Sequence, residues 1–244
     1  MSRAIEVEWL GRVPYGEALA LQQEAVAERL AGRRGDRLLL LEHPPVVTLG
    51  RSTDRANLLC SQEVLRGRGI ELFEVGRGGD ATYHAPGQLV GYPIVDLDAR
   101  GRRDVHAHLR ALEAGLIEAL EQIGVPARRV PGWTGVFVDR ARSVRPDGPE
   151  RKIASIGVGL RRWVTYHGFA LNVSLDLSGF STIVPCGLHG VEMTSVASEL
   201  AVTARRDVAR DEGEGELDHD VLDRRVRAAV THAMQGALSA EPGR

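Results

Sequence analysis

The stretch Gly76-Arg77-Gly78-Gly79-Asp80-Ala81-Thr82-Tyr83-His84-Ala85-Pro86-Gly87-Gln88-Leu89-Val90-Gly91-Tyr92-Pro93 decides how the rest of the chain is read. An apolar run from Ile70 to Val75 reads as a strand that delivers the chain into it. A second strand leads out of it, because Gln88 to Leu97 holds Leu89, Val90, Tyr92, Ile94 and Val95. Between them Gly76, Gly78, Gly79 and Gly87 leave the backbone open to a ligand, while Arg77, Thr82, Tyr83, His84 and Gln88 supply polar heads. A plain Gly-rich β-turn is the alternative. The spacing is neither G-x-G-x-x-G opening a helix nor G-x-x-x-x-G-K-[ST], so the dinucleotide and phosphate-loop fingerprints do not apply.

Outward from this stretch, strands and helices alternate. Ile5 to Leu10 reads as a half-buried strand, Tyr15 to Ala31 as a helix ending near Gly32, and Arg37 to Glu42 and Val46 to Leu49 as strands interrupted by His43-Pro44-Pro45. Ser61 can cap a short helix running to about Arg68. Asp104 caps the clearest helix, in which Val105, Leu109, Leu112, Leu116, Leu120 and Ile123 form an apolar stripe that Gly124 ends. His106 and His108, two positions apart on it, face different ways and cannot readily share a metal. A short strand is expected near Val125, another at Gly135 to Asp139, and its antiparallel partner at Lys152 to Leu160. The polar loop 140–151 lies between the last two. Trp163 to Val173 supplies further strand, Leu175 to Val191 is irregular, and Thr194 to Leu200 opens a helix. An acidic linker near 211–219 precedes a closing amphipathic helix at about 220–239.

The chain has 244 residues, which suits a single α/β domain spanning residues 1–244. A net charge of −2 argues against nucleic-acid binding, and Leu38 to Leu41 is far too short to span a bilayer. With no targeting segment in view, the expectation is a soluble cytoplasmic protein with no membrane partner. Its two cysteines, Cys60 and Cys186, give no disulfide framework and fit a reducing compartment.

Among 31 basic residues only Lys152 is a lysine, so the one amine is a candidate for a position that needs a group able to lose its proton. Chance survival in an arginine-biased composition is the alternative. Cys186 stands between Pro185 and Gly187, which could present its thiol to a substrate. A nucleophilic cysteine needs its thiolate, and Lys152 is a suitable base to remove the proton and return it to a leaving thiol. A buried, inert thiol is the alternative for Cys186 and the reading for Cys60. Ser155, Gly157 and Gly159 allow close approach after Lys152, and His84 and His167 are site-shaping hydrogen bonders with an auxiliary acid–base role open to them. No zinc-ligand spacing is present, and no metal is expected.

Four motifs thus occur in one order: Arg77 to Pro93, Lys152-Ile-Ala-Ser-Ile-Gly157, His167-Gly-Phe-Ala-Leu-Asn172 and Pro185-Cys-Gly187. Together they resemble the lipoyl(octanoyl) transferase family, with support from His43 to Val196. The resemblance implies an α/β fold of the α+β type: a mixed, largely antiparallel sheet flanked by helices, similar to the catalytic domain of biotin and lipoate protein ligases. It implies transfer of an octanoyl group from octanoyl-acyl carrier protein to a lysine of lipoyl domains, those of 2-oxoacid dehydrogenase complexes and of the glycine cleavage H protein. By residue match Cys186 carries the acyl group as a thioester and Lys152 tunes and reprotonates it. Arg77, Gly78, Gly79, Asp80, Ala81, Thr82, Tyr83 and His84, then Ser155, Ile156 and Gly157, then Gly168, Phe169 and Ala170, fall on substrate-binding segments. No cofactor is implied, because the incoming acyl group is already a thioester. Two features depart from the family pattern. Ala85 stands where the family has a glycine, and loop 140–151 is long, with Arg140, Arg142, Arg145 and Arg151 available to attract an acidic carrier. An ATP-dependent ligase, a thioesterase and a non-catalytic carrier-binding protein are the rival readings.

Overall fold

A computed structural model describes residues 5–143, 145–188, 190–208 and 218–240. Its centre is a mixed sheet. In spatial order it runs β1 (Glu6–Arg12), β2 (Arg37–Glu42), β6 (Gln88–Ile94), β10 (Val164–Asn172), β9 (Glu150–Arg161), β8 (Val136–Val138) and β7 (Ala127–Arg128), with β11 (Val191–Met193) also paired to β9. Only β1 on β2 and β11 on β9 are parallel, and the other pairings are antiparallel. A second sheet of β4 (Glu71–Glu74), β3 (Val46–Leu49) and β5 (Thr82–His84) has a small core of its own around Val47, Leu65, Tyr83 and Phe180.

The leucine run of β2 shows how the layers form. Side chains alternate along a strand. Leu38 and Leu40 therefore enter the core beneath α3 (Val105–Gln122) and α5 (His219–Ser239), together with Leu112, Leu116, Val226 and Met234. Leu39 and Leu41 point the other way and pack with Ala18 of α1 (Tyr15–Leu30). Burial on both faces explains a continuous apolar run where a surface strand would alternate, and each such leucine contributes about 1.5–3 kcal/mol.

The helix boundaries follow their caps. Asp104 accepts from Ala107 N at 3.0 Å, and Ser61 accepts from Val64 N at 3.3 Å to open α2 (Gln62–Gly67). The 196–208 segment forms α4 (Val196–Val208). The acidic linker expected near 211–219 falls largely outside the described residues. Its last two residues belong to the closing helix, with Asp218 accepting from Val221 N at 3.1 Å.

One expectation is corrected. Arg151 does not belong to an exposed loop, because β9 begins at Glu150 and its side chain is 1% exposed, paired with Glu199 at 3.0 Å. The other arginines of that loop are matched as well: Arg140 with Glu150, Arg142 with Glu121 and Arg145 with Glu192. Each of these pairs lies partly at the surface, with Arg142 and Arg145 about half exposed. Ala85 is unstrained, in keeping with the extended geometry expected of a residue before proline. It lies outside the residues with positive φ, and Gly87, two positions on, takes the left-handed turn at φ 83°. Among the described residues no helix is long and apolar enough to cross a membrane.

Candidate active site

The central hairpin sets two of the motifs against each other. In the β9–β10 register Gly157 faces Gly168, Ile156 faces Phe169 and Ser155 faces Ala170. Two of the three expected substrate segments thus form one continuous patch of sheet, and all six of their residues line a cavity of about 240 Å³. The 185–187 turn and strand β5 reach the same cavity.

Cys186 occupies an unusual backbone state. Its φ and ψ are 56° and 20°, a left-handed conformation that costs a non-glycine residue on the order of 1 kcal/mol. Neighbouring contacts hold it there. Cys186 N donates to Ala81 O at 3.0 Å, and Val184 N donates to Asn57 O at 2.8 Å. Asn57 Nδ2 in turn donates to Asp80 Oδ2 at 2.5 Å. Gly187 follows at φ 65°, and a Cβ there would lie 2.7 Å from the same Asp80 oxygen. The Cys186 thiol is half-buried, faces the cavity and lies 3.7 Å from Ser155 Oγ.

Lys152 reaches that cavity from β9 and is 1% exposed. Its Nζ donates to Thr134 O at 3.0 Å and stands 5.4 Å from the centre of the Phe137 ring. Cys186 and Lys152, 34 positions apart in sequence, are thus brought to the walls of one space.

Arg77 also lines the cavity, but its outer nitrogens serve the protein. Nη1 donates to Gly78 O at 3.2 Å and Asp80 O at 2.7 Å, and Nη2 donates to Thr48 O at 2.8 Å and Thr48 Oγ1 at 2.9 Å. Burial pulls the guanidinium below its ordinary pKa, and Tyr15 and Cys186 nearby pull it back up. Arg77 is therefore a buried clamp on the Gly-rich loop as well as a wall of the site.

Behind the cavity wall at His84 lies a buried network of neutral polar groups. Gln88 Nε2 donates to Tyr83 O at 3.2 Å and to Asn172 Oδ1 at 2.9 Å, which leaves Gln88 Oε1 to accept from His84 Nδ1 at 2.7 Å. His84 is neutral, since burial, His43 and Arg77 hold its pKa well below the ordinary value. His43 Nδ1 donates to Val13 O at 2.7 Å, so its Nε2 accepts from Tyr92 OH at 2.6 Å. Burial brings His43 down to about 4. His167, at φ 55°, is lowered to about 3 by burial first and then by Arg77 and Arg51. An imidazole with that pKa is a weak base near neutrality, so His167 fits cavity shaping better than the auxiliary acid–base role.

Three expected binding residues do not line the cavity. Tyr83 lies between Thr82 and His84 on β5, so it points to the opposite face, where its ring packs 5.5 Å from that of Phe180. Gly78 donates its N–H to Val158 O at 2.9 Å, and Ala81 is fully buried, supporting the site through its backbone: its carbonyl accepts from Cys186 N and its N–H donates to Asp80 Oδ1 at 2.6 Å. Arg77, Gly79, Asp80, Thr82, His84 and His167 do line it. Sequence reading missed Tyr15, Tyr92, Trp133, Thr134 and Leu188. A signal existed for two of them, because Gly132-Trp133-Thr134-Gly135 sets an aromatic and a hydroxyl between two glycines. Among the described residues no group of three His, Cys, Asp or Glu side chains is placed to hold a metal.

Comparison with known proteins places this geometry. The model of the lipoyl protein ligase A/B catalytic domain matches residues 14–212. An octanoyltransferase of Solibacter usitatus is 52% identical over 198 residues, covering 81% of this chain and 84% of that protein. Another, from Syntrophotalea carbinolica, is 52% identical over 192 residues, covering 79% and 82%. Among solved structures, a bipartite lipoate protein ligase studied with its E2 lipoyl domain from Thermoplasma acidophilum has the same fold, with a TM-score of 0.61 at 18% identity over 97% of this chain and 84% of that one. Lipoate-protein ligase A bound with ATP gives a TM-score of 0.56 at 16% identity, covering 96% and 95%. The chain therefore belongs to the octanoyltransferase family within the lipoyl protein ligase A/B catalytic domain, and it is an acyltransferase.

Proposed function

We propose that this acyltransferase moves an octanoyl group from octanoyl-acyl carrier protein onto a lysine of lipoyl domains, by way of a thioester on Cys186. The observation that carries the reading is the shared cavity: one thiol held in a left-handed turn and one buried amine open onto the same space. Lys152 Nζ takes the Cys186 proton, and the thiolate attacks the carbonyl of the donor thioester. Collapse breaks the bond to the carrier sulfur, which leaves with the proton from Lys152. The acceptor lysine amine then attacks the Cys186 thioester, the amide forms, and the Cys186 sulfur is reprotonated. Each step exchanges one acyl bond for another, so no nucleotide is consumed.

Ser155 Oγ, 3.7 Å from the thiol, is placed to donate to that sulfur or to the oxygen that becomes negative beside it. Ile156 and Phe169, paired across the hairpin, supply apolar wall for the alkyl chain. The acceptors are lipoyl domains of 2-oxoacid dehydrogenase complexes and the glycine cleavage H protein. Free Cys60 and Cys186 fit a reducing cytoplasm as the place of action.

The test is incubation with octanoyl-acyl carrier protein alone, followed by intact mass and peptide mapping. An octanoyl adduct on Cys186, absent from Cys186→Ala, is expected. An adduct that appears only with ATP would turn the reading into a ligase, and steady release of octanoate without an acceptor would turn it into a thioesterase.

A further inference from the structure

Glu113 is a carboxylate on α3, 0% exposed, on the helix that otherwise buries Leu112, Leu116 and Leu120. A buried charge is costly unless it is matched. Two of its partners are arginines: Oε2 accepts from Arg110 Nη1 at 2.5 Å and Arg129 Nε at 3.0 Å. Those arginines are 46% and 41% exposed, so the charge alone would be met as well at the surface. The third partner explains the depth. Glu113 Oε1 accepts from the backbone N–H of Gly135 at 3.0 Å, in a fully buried bond.

Gly135 adjoins Thr134, whose carbonyl receives Lys152 Nζ at 3.0 Å. Gly135 itself runs against the lysine stem. It has φ 122°, and a Cβ built there would fall 2.8 Å from Lys152 Cε and 2.6 Å from Ala154 O. Trp133 and Thr134, in the same turn, line the cavity. The chain of contacts is therefore continuous: Glu113 carboxylate, Gly135 amide, Thr134 carbonyl, Lys152 amine. One N–H of the amine is spent on Thr134 O, and that bond fixes where the rest of Nζ points.

We infer that Glu113 is a positioning residue for the reaction: through Gly135 and Thr134 it holds the Lys152 amine in the orientation that exchanges a proton with Cys186. The inference rests on the proton-transfer role proposed above for Lys152.

Two substitutions separate position from charge. Glu113→Gln keeps an oxygen within reach of Gly135 N and gives up the charge together with the acceptor for Arg110 and Arg129, whereas Glu113→Asp keeps the charge and withdraws the acceptor by one methylene. The first readout is alkylation of Cys186 by iodoacetamide across pH, with Lys152→Met as the reference for a lost amine. The second is steady-state transfer, with folding checked by thermal melts. Glu113→Asp should slow alkylation at neutral pH and move its pH profile toward higher pH, in the direction of Lys152→Met. It should lower kcat roughly 10- to 100-fold with KM for the carrier unchanged, the scale of a misplaced catalytic group. Glu113→Gln should stay close to the parent protein in both readouts.

The inference is overturned if Glu113→Asp matches the parent, or if a folded Glu113→Gln is as impaired as Glu113→Asp, since charge and not position would then matter. Should Glu113→Asp not fold, Glu113→Gln decides alone: parent-like alkylation supports the inference and a displaced profile ends it. If Lys152→Met leaves alkylation untouched, the role of Lys152 fails first and that of Glu113 with it, an outcome distinct from the others.

Discussion

Different elements bring the Lys152 amine and the Cys186 thiol to one cavity, and the proposed mechanism divides the chemistry between them. If the amine exchanges a proton, arginine cannot replace it, because a guanidinium stays protonated throughout the working pH range. Lys152→Arg should lower kcat on the order of 10²- to 10⁴-fold, with carrier affinity retained, as measured by steady-state transfer and equilibrium binding. Near-normal turnover would remove the acid–base role. Both stood out in the sequence, one as the sole lysine and the other from its Pro-Cys-Gly setting, and both line the cavity. The left-handed state of Cys186 was not legible there, since it depends on Ala81 O and Asp80, more than a hundred residues away in the chain. Tyr83 is a different kind of miss. Its neighbours on β5 both face the cavity, and period-two alternation alone sends it elsewhere.

At the scale of elements, the β9–β10 hairpin carries two of the four motifs, and its turn is made by two residues poorly suited to it. Arg162 and Trp163 have φ of 50° and 66°, the positions at which two-residue hairpins favour Asn-Gly. Trp163 is retained by packing against the main core. Arg162 is exposed and has no such tie. Arg162→Asn should raise stability by about 0.5–1 kcal/mol in chemical unfolding and leave transfer unchanged, because the turn does not line the cavity. No gain would mean that the Arg162 backbone is not strained. The pairing of Lys152–Leu160 with Gly135–Asp139 was readable from apolar pattern, as was the α3 stripe. Glu113 was hidden by the same stripe: on a helical wheel it is one polar residue beside a core face, and only the turn at 132–135 gives it a task.

At the scale of the whole molecule, four of the eight histidines, His43, His84, His108 and His167, are buried in neutral form. Burial first, with nearby positive charge for three of them, holds His43 and His108 to about 4, His167 to about 3 and His84 well below the ordinary value of 6.5. As pH falls through 6.5 the unfolded chain takes up protons that the native state refuses until about 4, so stability is full above 6.5 and is lost progressively below it. Each such group contributes a slope of about 1.4 kcal/mol per pH unit inside its window. Tm should therefore be nearly level from pH 8 to 7 and fall on the order of 10 °C between pH 6.5 and 5, in the range where most carboxylates are still ionised. A level Tm down to pH 5 would mean that the histidine cluster is hydrated or charged.

The central claim is that Cys186 carries the acyl group between two protein partners, and one measurement addresses it directly. The protein is loaded with octanoyl-acyl carrier protein, freed of carrier, and mixed with apo lipoyl domain while the masses of both proteins are followed in time. The account predicts that octanoyl leaves Cys186 and appears on the lipoyl-domain lysine at the same rate and in equal amount. Octanoate in solution with an unmodified lipoyl domain, or an acceptor modified while Cys186 stays loaded, would contradict it.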